Sequence, residues 1–106
     1  MREKNLRAVI VEPNKPARIE KVPNDIYALQ KLVGGLVEHL DMDGFDLLFN
    51  EEGKLLDLEP NFSIFDGLDY IAGICIFVGV NYSTGEWTSL KDEHLSIIMA
   101  NFNERE

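Results

Sequence analysis

The sequence predicts an α+β fold, a small and mostly antiparallel sheet with two helices, the C-terminal one packed on the sheet. Three observations point there. Short runs rich in β-branched residues or alternating with a period of two recur along the chain. Two segments show the helical period instead. The two kinds never alternate strictly, as a parallel sheet with crossover helices would require.

Leu6 to Glu12 (LRAVIVE) is β-branched and stops at Pro13-Asn14, a turn pair. Pro16 to Val22 alternates apolar and charged residues, so the two runs predict a hairpin turning over Asn14-Lys15. Pro23-Asn24-Asp25 predicts a helix start with Asn24 as N-cap. Ile26, Leu29, Leu32 and Val33 follow at helical spacing, and Gly34-Gly35 supplies a left-handed stop. Leu36 to Leu40 and Phe45 to Asn50 read as strands either side of an Asp41-Met42-Asp43-Gly44 turn. Asn50-Glu51-Glu52-Gly53 reads as a tight turn with Gly53 at positive φ, and Lys54 to Leu58 as a further extended piece.

Pro60 to Leu68 has no clean period. Ile71 to Val80 (IAGICIFVGV) reads as a central strand, buried on both faces, with Gly73 and Gly79 at close approaches. Ser89 and Asp92 resemble a capping box ahead of Leu95, Ile98, Met99 and Phe102, a single apolar stripe. That stripe is expected to lie on the strand carrying Ile74, Ile76 and Val78.

The 106 residues suit one domain, 1–106, of ordinary globular composition. A net charge of −9 argues against direct binding to a nucleic-acid backbone and favours a basic protein partner. The charge is uneven. Residues 35–70 hold ten acids against Lys54 alone, as much net negative charge as the whole chain. If the strand acids point outward, Asp41, Asp43, Asp46, Glu51, Glu52, Asp57 and Glu59 form one negative surface, with Asn50 and Lys54 in its turn. A lone cysteine, no apolar leader and no apolar run of membrane length predict a cytoplasmic protein without a membrane span.

The chemistry-bearing residues point away from catalysis. Asp41 to Glu52 has the span of a calcium loop, but the glycine falls two residues early, so no metal site is expected. Cys75 lies between isoleucines, where burial raises a thiol pKa and makes it inert. His39 and His94 lack metal-ligand spacing, and no phosphate-loop, dinucleotide or nucleophile-elbow motif is present. Glu51 and Glu52 lack a cleft that would split their pKa values for acid–base work. Tyr82 and Trp87, flanking Gly85-Glu86, offer an aromatic contact surface or a lid on the core. No cofactor and no enzymatic activity are expected.

Several pieces in order carry a resemblance. They include Val9-Ile10-Val11-Glu12-Pro13, Leu29 to Gly35 (LQKLVGG), Asn50 to Leu55 (NEEGKL), Asp69 to Gly73 (DYIAG), Phe77-Val78-Gly79 and Ser89 to Glu93 (SLKDE). The chain resembles, over about residues 7–95, the domain-of-unknown-function family numbered 3846, common in phages, plasmids and integrative elements of Gram-positive bacteria. It departs at Pro60-Asn61-Phe62-Ser63, which lacks an arginine that relatives tend to have. The resemblance implies a stand-alone α+β domain of a mobile element and carries over no catalytic residue.

The function expected is therefore a non-enzymatic accessory or interaction protein. One form would be an acidic inhibitor that mimics nucleic-acid charge on a host protein. The alternative is a small-ligand binder with a pocket between the sheet and the last helix.

Overall fold

A computed structural model describes residues 2–103. In chain order the elements are β1 (Asn5–Val11), β2 (Arg18–Pro23), α1 (Ile26–Val33), β3 (Val37–Asp41), β4 (Phe45–Asn50), β5 (Pro60–Ile64), β6 (Asp69–Ala72), β7 (Cys75–Asn81), β8 (Glu86–Thr88) and α2 (Asp92–Phe102). The main sheet runs β2-β1-β7-β4-β3, antiparallel throughout. The most apolar strand, β7, lies at its centre, and β8 pairs with the second half of β7. β5 and β6 form a separate antiparallel ribbon.

Period-two alternation divides the core into two. Even-numbered residues of β1, β4 and β7, among them Ile10, Leu48, Ile76 and Val78, face α1 and meet Leu29 and Val33. Odd-numbered ones, including Val9, Val11, Leu47, Cys75 and Phe77, face α2 and the ribbon. Leu95 and Ile98 of α2 are buried there, with Met99 and Phe102 packed beside them. The α2 stripe thus lies on Cys75 and Phe77, not on Ile76 and Val78: the helix covers the opposite face of β7. The mixed α+β class, the first hairpin, both helices and their attachment to the sheet are as the sequence predicts.

Three local expectations are corrected. Ile71 to Val80 is two strands, because the chain bends at Gly73, whose φ of +83° and contact with Leu58 exclude a side chain. Residues 51–57 are consecutive turns, held by bonds such as Leu56 N–H to Glu52 O and Leu58 N–H to Gly53 O, so Lys54 to Leu58 is not an extended piece. Gly53 is not at positive φ; a Cβ there would lie 2.9 Å from Ala72 O, and close approach is its reason.

The caps also differ. Asp25 caps α1, accepting from Tyr27 N–H, while Asn24 is buried and bonds the backbone of Glu3 and Lys4. α2 begins after Lys91 without a side-chain cap. Ser89 is instead taken up by Arg7 N–H and the Glu3 carboxylate.

Gly79 meets its expectation. A Cβ there would fall 2.5 Å from Ser89 O, since β8 and the chain after it press onto β7. Leu90 N–H then bonds Arg7 O, and the Arg7 guanidinium reaches Asp92 at 2.8 Å, tying the start of α2 to β1.

Candidate functional site

The acidic segment is split by the geometry of the β3–β4 hairpin. Asp41 and Asp43 lie at one end, Glu51 and Glu52 at the other, about 17 Å apart for a strand of this length. One continuous negative face does not form.

Two of its expected members are interior. Asp46 is only 5% exposed and Asn50 only 3%. Both share the α1-facing parity of Leu48, so neither can point outward. Trp87 from β8 covers Asp46 and donates its indole N–H to Asp46 Oδ2 at 3.1 Å, which offsets the burial of the carboxylate. Asn50 donates to Val33 O, the end of α1, and accepts from Glu52 N–H. It is a clasp between helix and sheet.

The remaining residues are exposed but differently engaged. Asp41 accepts the Tyr82 hydroxyl at 2.7 Å and Asp43 N–H at 3.0 Å. The bond to Asp41 pushes the Tyr82 phenol above its ordinary pKa, against the opposing effect of Gly44 N–H. Asp43 and Asp57 occupy left-handed turn positions. Glu59 takes Asn14 from the first hairpin's turn. Lys54 pairs with Asp69, and its ammonium lies 5.0 Å from the Tyr70 ring centre. That ion pair first, and Tyr70 N–H second, hold the Asp69 carboxyl below the usual carboxylate range.

The candidate catalytic groups are dispersed. Cys75 is buried, His39 is exposed on β3, and His94 is half-buried on α2 with its ring 5.0 Å from Phe45.

A different feature emerges on the α2 face. The β5–β6 ribbon packs over the sheet through Ile71 and through Phe62, whose ring stacks 6.2 Å from Phe77. Asn61 pins it, donating to Val11 O and Gly73 O. Because ribbon and α2 share that face, a groove opens between them and the rim strand β3.

One arm of the groove, about 540 Å³, is apolar, with Phe45, Phe62 and Phe77 at its floor and Ile97 and Phe102 of α2 on its wall. The other, about 400 Å³, runs past Glu38, Glu51, Lys54 and Tyr70. The arms meet at Leu40, Ile64 and Phe65. Phe65 is 57% exposed at φ +52°, a rare backbone state for a bulky side chain. Leu55 (83%), Ile97 (55%) and Tyr70 also stand in water along the lips.

Sequence reasoning offered a pocket between the sheet and the last helix as an alternative, but missed the ribbon that walls it and the second arm, because Pro60 to Leu68 showed no period. The pair Asp66-Gly67 between Phe62/Ile64 and Tyr70/Ile71 was a hairpin signal that could have found the ribbon.

No helix among the described residues is long and apolar enough to cross a membrane. No curated protein and no solved structure matches the chain. A family model, Domain of unknown function (DUF3846), matches residues 6–103. The match takes in both helices and every strand but the first residue of β1, and by it the chain belongs to the DUF3846 family.

Proposed function

We propose that this protein is a non-enzymatic binding module whose recognition site is the groove between β3, the β5–β6 ribbon and α2, and whose partner is a basic polypeptide. The observation that carries the reading is the lip. Leu55, Phe65, Tyr70 and Ile97 are large apolar side chains left in water around one concavity, and exposed apolar surface of that kind marks an interaction site.

Charge selects the partner's sign. Glu38 and Glu51 border the groove, and Asp41 stands at its rim with its side chain on the opposite face, none of them in an ion pair among the described residues, while the nearby cation, Lys54, is neutralised by Asp69. A partner rich in Lys or Arg gains from this field and an acidic one is repelled. The separation of the acids into two clusters disfavours mimicry of a nucleic-acid backbone. A cytoplasmic setting in a mobile-element host suits the lone buried thiol and the family resemblance.

Selection of random displayed peptides on the immobilised protein tests the reading. Enriched sequences should combine Lys or Arg with apolar residues and should fail to bind the F65S/I97E double variant. They should still bind Tyr27→Ser, a change on exposed α1. Enrichment of acidic peptides, or equal binding to the double variant, would contradict it.

A second reading has its own support. The apolar arm lies between the sheet and the last helix, and its volume falls in the ~300–1,000 Å³ range of small-molecule sites. Nile red should then bind the native protein and be lost in Ile97→Glu.

A further inference from the structure

We infer that the partner binds as an added β-strand along the outer edge of β3. The inference rests on the groove reading above and specifies how the groove is entered.

Two strands end the sheet's main order, β2 and β3, and they are guarded differently: the edge charges of β3 are all acidic, so they admit a basic strand. β2 carries Arg18, Lys21 and Pro23, with Pro16 just ahead of it, and such charges and prolines discourage edge pairing. β3 (VEHLD) carries no proline, lysine or arginine and is paired on one side alone, by β4.

Its free groups can be identified. Met42 N–H bonds Phe45 O, and Glu51 N–H bonds Leu36 O. Antiparallel bonding alternates, so Leu36, Glu38, Leu40 and Met42 turn their backbone groups to β4. Val37, His39 and Asp41 turn theirs outward. The edge therefore offers three residues' donors and acceptors, the next one about 6.8 Å further along the strand each time.

The side chains of β3 set what can pair there. From Leu32 to Gly53 the chain has no lysine or arginine. Glu38 and Leu40 share the groove face, while Asp41 lies on the other. A second copy of this edge, paired antiparallel over its full length, would set the two Glu38 side chains as diagonal neighbours on one face with no cation to offset them. An incoming strand of opposite charge meets Glu38 and Asp41 with basic residues and Leu40 with an apolar one. Its side chains on that face then run into the groove beside Phe65 and Ile97.

The register gives a pattern. Read antiparallel to β3, the segment is basic, apolar, any residue, basic; read parallel, it is basic, any residue, apolar, basic. Main-chain bonds would supply affinity and these positions specificity.

The probes are two hexapeptides, Val-Lys-Leu-Thr-Lys-Val and Val-Lys-Thr-Leu-Lys-Val, followed by amide hydrogen exchange in the isotope-labelled protein. With either peptide bound, exchange at Val37, His39 and Asp41 should slow at least about tenfold, scaled by occupancy. Glu38 and Leu40, already bonded to β4, should change little. Substituting Glu for both Lys should abolish the effect.

Shifts of the Leu40 and Ile97 methyl signals without protection of the three amides would overturn strand addition and leave the groove reading standing. No shift anywhere with either peptide would overturn both. Protection of the same amides in the peptide-free protein, accompanied by self-association in sedimentation, would assign the edge to a second copy and overturn the inference.

Discussion

Asn50 uses both ends of its amide inside the protein, holding Val33 O and Glu52 N–H at once. Asn50→Ala should lower stability by about 1–3 kcal/mol, since both partners lose a bond in a closed place. Urea midpoints at unchanged slope would show it. Asn50→Asp should cost more, by setting a carboxylate against the Val33 carbonyl.

Asp46 makes a contrasting case. It stands directly across from Asp41, so Asp46→Asn keeps an acceptor for Trp87 and removes a like-charge pair. We expect it to be neutral or stabilising, whereas Asp46→Leu strands the indole N–H and should cost about 1–3 kcal/mol. Denaturation followed by Trp87 fluorescence separates the two. Their burial was half legible. The parity of Asp46, Leu48 and Asn50 follows from the strand, but which face is covered depends on Trp87, 41 positions away.

Strands and helices with a strong period were legible as elements, since β-branched alternation and the α2 stripe express burial that each element achieves along its own length. The failures lie where burial is supplied from elsewhere. Residues 51–57 carry Leu55 and Leu56, which look like strand positions yet stand in water, and β5 is held by the bond from its own Asn61 to Val11 O of β1. Placing α2 over Ile76 and Val78 failed because both faces of β7 are buried, so its own pattern does not say which helix covers which.

Two tests belong at this scale. Gly79→Ala should cost about 1–3 kcal/mol, because its methyl meets Ser89 backbone and must displace β8.

The Lys54–Asp69 pair links the turns after β4 to β6. The Asp69 pKa is lowered on folding, so its contribution is fully present above the ordinary carboxylate value. It is lost as pH falls through the lowered one. Glu12, held down by its bond to Arg18, acts in the same direction. Melting temperature should fall across that acid range, and Asp69→Asn should flatten the fall. The effect should be modest and weaken with salt, because both partners are half exposed.

On the scale of the whole molecule, the charge map in the sequence singled out one third of the chain, but not how the fold distributes its acids. A strand separates the acids of one turn from those of the next, and only the fold shows that an apolar groove lies between. Recognition in this account joins two contributions, apolar burial along Leu55, Phe65, Tyr70 and Ile97 and attraction by Glu38, Asp41 and Glu51. Calorimetric titration of a peptide selected on the native protein reads both at once. The account predicts a negative heat-capacity change, weaker binding as salt rises, and loss of binding in Ile97→Glu. A heat-capacity change near zero, with full binding retained by Ile97→Glu, would contradict it.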